Sequence, residues 1–435
     1  MTNGDWRQVK LGDAFTITSK PRSQRVEDHE RIPFVPMEFV PEDGLYFDRY
    51  LLKRPDELTS GTYFEPGDAL IPKITPSFEN GKQGIVPSLP TPFGFATTEV
   101  VPFRGIDGLS DTLFLFYYLL RPSVRVELAA KMEGTTGRQR LSKSTFLNLD
   151  MPLPSLSEQR AIAQVLRTVQ EAREARRREL ALERERKAAL MAHLFTYGTS
   201  GEQRTGTEIG LLPQSWKVER VGAVVPVMQY GVSVPGQSTG RAQLLRMNNV
   251  VDGRVVPDGK QYVTLDDGGH KAFRVHRGDV LFNRTNSFDL VGKTGLFDRP
   301  EECICASYLI RLAPDQNRLL PGFLAAFFCW TETQARLKGL ASRGVSQSNI
   351  SAGKLKHFAM AVPSIAEQRE IVAVLDACDA KLKGVRAELE CLGSLFFALL
   401  EELMSGRMPP APDLDTTSGT HDSAVARSTI EGPES

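Results

Sequence analysis

The sequence predicts an α+β protein in which two homologous globular domains are separated by two long helices forming an antiparallel coiled coil, an internal pseudo-two-fold repeat. Three observations carry that prediction: a duplication along the chain, strand-rich segments broken by Gly and Pro, and two long Pro-free segments with apolar residues at helical spacing. A length of 435 residues, 41% hydrophobic and 24% charged, suits more than one globular core.

The duplication is read directly. Pro154-Ser-Leu-Ser-Glu-Gln-Arg160 returns as Pro363-Ser-Ile-Ala-Glu-Gln-Arg369, an offset of 209. Trp6 with Leu11-Gly12 returns as Trp216 with Val221-Gly222, Met37 as Met247, and Gly67-Asp68 as Gly278-Asp279. Offsets this steady mean two halves with few insertions. They divide the chain into a first domain (1–151), a first helical region (152–197), a second domain (198–360), a second helical region (361–408) and a tail (409–435). The domains alternate short runs such as Arg31–Val35 and Gly278–Phe282 with turn signals, and the patterns Leu113–Leu128 and Pro321–Leu337 predict one helix each.

The helical regions open just after Pro154 and Pro363, and neither contains another proline before Pro409. In the second, Ile371, Leu375, Cys378, Leu382, Val385, Leu389, Leu392, Phe396, Leu399 and Leu403 alternate spacings of four and three, the seam of a coiled coil. At about 1.5 Å per residue that seam is a rod of roughly 50 Å. The first region keeps Ile162, Leu166, Val169, Leu180, Leu190 and Leu194 but sets Arg173, Arg176, Glu183 and Lys187 between them. Their stems are expected to cover the partner helix while the charges reach water. The duplication favours an antiparallel pair.

Signs of catalysis are missing. Gly292-Lys293-Thr294 lacks the earlier glycine of a phosphate-binding loop, and no Gly-x-Gly-x-x-Gly or Gly-x-Ser-x-Gly occurs. The six histidines form no spaced pair, and the five cysteines, 303, 305, 329, 378 and 391, read as reduced thiols without a metal. The amino terminus has no basic-then-apolar leader, and the longest apolar run, Leu113–Leu120, is too short for a membrane span, so a cytoplasmic protein is expected. A non-catalytic binding protein is the reading that remains.

The repeated Pro-Ser-[Leu/Ile]-[Ser/Ala]-Glu-Gln-Arg opening a long helix, each time after a domain that begins near a Trp and contains Gly-Asp, closely resembles the specificity (S) subunit family of type I restriction-modification systems. The resemblance covers residues 1 to about 408. It implies two target-recognition domains, each reading one half of a bipartite site in double-stranded DNA, held apart by an antiparallel coiled coil. It implies two methyltransferase (M) subunits docked on the helices, and two restriction (R) subunits where the complex also cuts. No cofactor is then bound by this chain: S-adenosylmethionine belongs to the methyltransferase subunits, and ATP and Mg to a restriction subunit. A type II-like or methylation-only assembly, and a coiled-coil scaffold without a DNA role, stay open as alternatives.

The resemblance places base reading in domain loops, and composition selects which. In the second domain Arg284, Thr285 and Asn286 follow Gly-Asp and an apolar strand, offering donors for guanine, adenine and phosphate, with Lys293 beyond. The equivalent first-domain loop offers Lys73, Thr75, Ser77, Asn80 and Lys82. A second polar loop precedes the last strand of each domain, with Arg138, Gln139 and Arg140 in the first and Arg343, Ser346, Gln347 and Asn349 in the second. Tyr230 and Ser233 are a further pair. Glu158, Gln159 and Arg160, with Glu367, Gln368 and Arg369, are the candidates for docking, on a partner or between helix and domain.

Charge first argues against DNA, since 53 basic and 53 acidic side chains cancel. By segment, the second domain holds 20 basic against 14 acidic residues, and the tail 1 against 5. The expectation is a subunit that binds DNA weakly alone, with much of the phosphate contact coming from its partners.

Overall fold

The computed structural model describes residues 6–135, 137–344 and 347–410; of Arg343 it describes the backbone alone. The chain divides into two compact units, 1–179 with 386–435, and 180–385. The division falls inside both long helices, Leu156–Tyr197 and Ile365–Met404, so each unit contains one domain and part of both helices.

In the first unit, strand Arg7–Lys10 pairs antiparallel with Asp150–Leu153, closing the domain where its chain enters and leaves. Between them lie two four-stranded sheets. One runs Phe15–Ile17, Val100–Gly105, Ala69–Pro72, Gly84–Ile85; the other runs Leu51–Lys53, Ile32–Val35, Gly94–Ala96, Thr62–Phe64. The larger core joins Phe15, Phe78, Phe103, Phe114 and Phe146 to Ile162 and Leu166 of the first long helix and to Phe396, Leu400, Leu403 and Met404 of the second.

The second unit repeats the order. Lys217–Arg220 pairs with Ala359–Val362, and Val227–Tyr230, Leu309–Ala313, Val280–Asn283 and Thr294–Leu296 lie side by side as their counterparts do. Two short strands, Arg254–Val255 and Val250–Val251, extend this sheet, and the other sheet runs Tyr262–Val263, Ala242–Leu245, Cys303–Cys305, Arg274–Val275. The hairpin Arg204–Thr207 with Gly210–Pro213 and the helix Asp267–Phe273 are additions of this half. Its core takes in Leu194 and Phe195 from the first long helix, and Ile371 and Leu375 from the second.

The Gly-Asp landmark is a turn. Gly67 and Gly278 hold φ of +90° and +93°, where a side chain is strained, and each following aspartate accepts the backbone N–H three residues back, Asp68 from Glu65 at 2.8 Å and Asp279 from His276 at 2.7 Å. Burial raises both carboxyls above the usual range, although Arg104 and Arg311 reach them from the neighbouring strands.

Several expectations change. The pattern Leu113–Leu128 is two helices, Thr112–Tyr118 and Pro122–Ala129, because Pro122 starts the second at the position proline favours. Pro321–Leu337 likewise breaks at Trp330, whose extended backbone separates Pro321–Cys329 from Thr331–Gly339. The long helices begin at Leu156 and Ile365 rather than 152 and 361, since the strands run on to Leu153 and Val362; Ser155 and Ser364 then accept the Glu158 and Glu367 N–H groups. The apolar seam is buried at Ile371, Leu375, Cys378, Leu382, Val385 and Phe396, only half-buried at Leu389 and Leu392, and then moves from Leu399 to the fully buried Leu400.

The charged seam positions do not simply reach for water. Arg173 is buried over the Phe396 ring, 4.9 Å from its centre, with Nη2 3.0 Å from Asp43. Arg176 meets Glu388 at 2.8 Å, Lys187 meets Asp379, and Glu183 pairs with Arg186 along its own helix. Arg173 and Lys187 are largely withdrawn from water against carboxylates, whereas the Arg176–Glu388 pair stays exposed.

All five cysteines are free thiols, and burial pushes Cys303 and Cys305 up to about 12 and Cys329 to about 11, which keeps them protonated. Among the described residues no group of His, Cys, Asp and Glu could hold a metal, and no helix is long and apolar enough to cross a membrane. Residues 411–435, most of the segment expected to be disordered, lie outside the described residues.

Candidate nucleic-acid interface

Both domains bring their two predicted loops together through the same backbone bonds. In the first, the Lys73 N–H donates to the Glu99 carbonyl at 2.9 Å, the Leu141 N–H to the Lys73 carbonyl at 2.8 Å, and Ile74 bridges Arg140. In the second, Arg284 donates to Tyr308 at 2.9 Å, Ile350 to Arg284 at 2.9 Å, and Thr285 pairs with Asn349. Position by position these are one frame, at offsets of 209 to 211. The side chains on it differ: Lys73, Ile74, Glu99 and Arg140 against Arg284, Thr285, Tyr308 and Asn349.

On the first frame Arg140 lies against Glu99. Its Nε is 3.0 and 3.2 Å from the two carboxylate oxygens and its Nη2 is 2.8 Å from Oε1, a forked pair. The hydrogen bonds from Arg140 pull the Glu99 carboxyl below the usual glutamate range, with Lys73 adding to the field. Thr75 donates through both its N–H and its hydroxyl to the Gln139 carbonyl, at 3.0 and 3.1 Å. Arg138 is exposed on the short hairpin Glu133–Thr135 with Arg138–Arg140. Ser77 is half-buried and Asn80 exposed on the adjoining turn, while the Lys82 ammonium donates to the Met37 carbonyl at 3.3 Å.

On the second frame the Arg284 guanidinium stacks over Tyr230, 4.8 Å from the ring centre, and donates to the Ser307 carbonyl at 3.3 Å. The Tyr230 hydroxyl accepts from the Ala352 N–H at 2.9 Å, so this one ring ties three distant segments together. The Asn349 amide donates to the Thr285 hydroxyl at 2.8 Å, and that of Asn286 lies 3.1 Å from the Met247 sulfur. Arg343 contributes its backbone to the pairing with Ser348, and Gln347 is exposed with its carbonyl accepting from Gly344. Ser346 lies outside the described residues. Ser233 is exposed and Lys293 half-buried, and among the described residues no side-chain hydrogen bond ties either to the cluster. Sequence reasoning missed Glu99 and Tyr308. Each precedes a strand in no motif, and only the frame, compared across both halves, points to them.

The repeated Glu-Gln-Arg has a different place. Gln159 is fully buried: its Nε2 donates to the Leu109 and Pro154 carbonyls at 3.1 and 2.9 Å, and its Oε1 accepts from the Asp111 N–H at 2.9 Å. Gln368 is equally buried, bonded to the Arg318 and Pro363 carbonyls and the Leu320 N–H at 2.8–3.0 Å. Glu158 accepts from the Trp6 indole at 3.2 Å and Glu367 from the Trp216 indole at 2.9 Å. These four therefore join helix to domain; Gln159, Gln368 and Glu367 are buried in that joint and do not offer a docking surface, whereas Glu158 is half-buried. Arg160 and Arg369 alone are exposed.

With this geometry in place, the comparison with family models is decisive. The model for the type I restriction modification DNA specificity domain matches residues 3–184 and 245–390. The chain belongs to that family. Among relatives of the specificity family, the type I restriction enzyme EcoEI specificity subunit of Escherichia coli is 31% identical over 36% of this chain and 26% of its own length. A type I MjaX specificity subunit of Methanocaldococcus jannaschii, named as such provisionally, is 24% identical over 46% of this chain and 48% of its own. The chain thus spans about half the length of one and about a quarter of the other. The E. coli EcoBI specificity subunit matches more of it, 24% identical over 71% of this chain and 69% of its own. A solved chain from work on complex assembly and conformational transition of the type I R-M system shares the fold at a TM-score of 0.57 and 19% identity, over 94% of this chain and all of that one. The S subunit of M. genitalium does so at 0.55 and 15%, over 92% and 96%.

Proposed function

We propose that this specificity-family chain is the non-catalytic DNA-recognition subunit of a type I restriction-modification complex, each domain reading one half of a bipartite site. The observation that carries this reading is the doubled frame: identical backbone bonds carrying different donors and acceptors are what two half-sites of different sequence require. The reading takes the long helices as an antiparallel pair, the arrangement that the resemblance to the specificity family implies. Arg176 with Glu388 and Lys187 with Asp379 support this, since a higher number on the first helix meets a lower one on the second. Readers spaced by such helices can enter grooves one or more turns of about 34 Å apart, leaving unread bases between them.

Adenine methylation needs the base flipped into a pocket, and that pocket, with its S-adenosylmethionine, belongs to methyltransferase subunits docked along the helices. ATP and Mg belong to a restriction subunit where one is present. Exposed Arg160 and Arg369, beside the buried joints, are the docking residues retained from the repeated tripeptide.

Selection from random duplexes by the full chain, co-expressed with a type I methyltransferase subunit, tests the reading. The expected outcome is a two-part motif with an unread gap and salt-dependent binding. Arg284→Ala then relaxes one position of one half-site, by about 1–3 kcal/mol of discrimination. Binding without sequence selection or salt dependence overturns the reading.

A further inference from the structure

The frame position just before the strands Val100–Gly105 and Leu309–Ala313 is occupied by a carboxylate in one domain and a phenol in the other, Glu99 and Tyr308. Both lend their carbonyl to the same backbone bond, from Lys73 and from Arg284. The Glu99 side chain stands against Arg140, and the two domains hold the residue at this second frame position, 140 or 349, differently. Arg140 is held by Glu99, whereas Asn349 is held by Thr285 and Tyr308 is 45% exposed.

We propose that Glu99 is a positioning residue that makes Arg140 the guanine reader of the first half-site. The inference rests on the DNA-reading function proposed above. A guanidinium has five N–H donors in a fixed plane. Glu99 occupies the edge formed by Nε and Nη2, so the torsions that would let this long side chain wander are fixed. The edge left open carries one N–H each from Nη1 and Nη2, parallel and coplanar. That pair matches the O6 and N7 acceptors guanine presents in the major groove, and no other base offers two acceptors there in that arrangement. The carboxylate also disfavours a phosphate at the same place, so the pair serves selection more than affinity. Lys73, close enough to influence Glu99, is the cation left for the backbone. In the second domain the carboxylate is absent, and Arg284 is instead stacked on Tyr230, so the same frame there serves a different base.

The test is selection from random duplexes by the full chain in its methyltransferase complex, comparing wild type with Glu99→Ala and Glu99→Gln. The neutral variants free Arg140, and the expected result is a drop of about tenfold or more in the preference for guanine at one position of the first half-site. The rest of that half and the whole second half keep their preferences, and binding to unrelated duplex is unchanged or tighter because a negative charge has been removed. A merely structural role would instead weaken all positions together and lower the melting temperature; the pair is solvent-facing, so melting is expected to stay put. Unchanged guanine preference in both variants, or a uniform loss across both halves, overturns the inference while leaving DNA recognition standing. A wild-type complex that selects no sequence at all overturns the recognition function itself.

Discussion

The joint between helix and domain and the reading frame are each present twice in this chain, and they differ in what the two copies share. At the joint both backbone and side chains repeat: Ser155 and Ser364 cap, Gln159 and Gln368 are buried with three bonds each, and Glu158 and Glu367 each take a Trp indole. At the frame only the backbone repeats. A duplication inside one chain therefore separates what the architecture demands from what the target demands. The joint has one solution because a buried carboxamide must match three fixed main-chain groups, whereas the frame's side chains are half-buried or exposed and need not match one fixed set of groups.

The largest effect is expected at the joint. Gln159→Ala and Gln368→Ala each remove a fully buried carboxamide and leave two carbonyls and one N–H without their partner, for a loss of about 3 kcal/mol. For units of this size that is a fall of roughly 6–12 °C in melting temperature, read by calorimetry or urea melting. Equal, small effects of surface-substitution size would show that the carboxamides do not hold the joint.

The glutamates break the likeness of the two joints. Glu367 is buried and accepts both the Trp216 indole at 2.9 Å and the Thr199 N–H at 3.0 Å, with Gly198 packed so closely against its carboxylate that a Cβ there would collide with it. Glu158 is half-buried and, among the described residues, its carboxylate takes the Trp6 indole alone, at 3.2 Å. Glu367→Ala should cost about 2 kcal/mol, and Glu158→Ala about half that or less. Equilibrium unfolding of the two variants makes the comparison; equal losses would mean that burial does not set the difference.

Much of this was legible in the chain itself. The duplication, the helix openings after Pro154 and Pro363, and both pairs of loops follow from residues that recur at fixed offset. What escaped depends on contacts that no local pattern records. Glu99 meets Arg140 only because the sheet brings strand Val100–Gly105 beside the loop after Ala69–Pro72. Gln159 and Gln368 look like surface helix residues until Leu109 and Leu320 are placed against them. The long charged side chains on the helix seam suggested solvent, but Asp43, Glu388 and Asp379 stand within reach. The break at Trp330 has no proline to announce it; it is set by an extended backbone between two helices.

The smallest effect is also the sharpest contrast between the two frames, because only the first carries a carboxylate. The Glu99 pKa lies lower in the folded chain than in the unfolded one, chiefly through the hydrogen bonds from Arg140. The unfolded chain therefore takes up the proton first as pH falls. The pair's contribution is present above the ordinary glutamate value and is lost as pH drops through the folded one. Arg140→Gln removes the donors that hold the carboxyl down, so the Glu99 resonance followed by carbon NMR should titrate at higher pH in that variant. If the guanine preference depends on this pair, acidification through the Glu99 pKa should weaken selection at one position of the first half-site before it touches the second, whose frame has no carboxylate at the matching position. Simultaneous loss in both halves would place the acid sensitivity in the fold and remove Glu99 from the account of specificity.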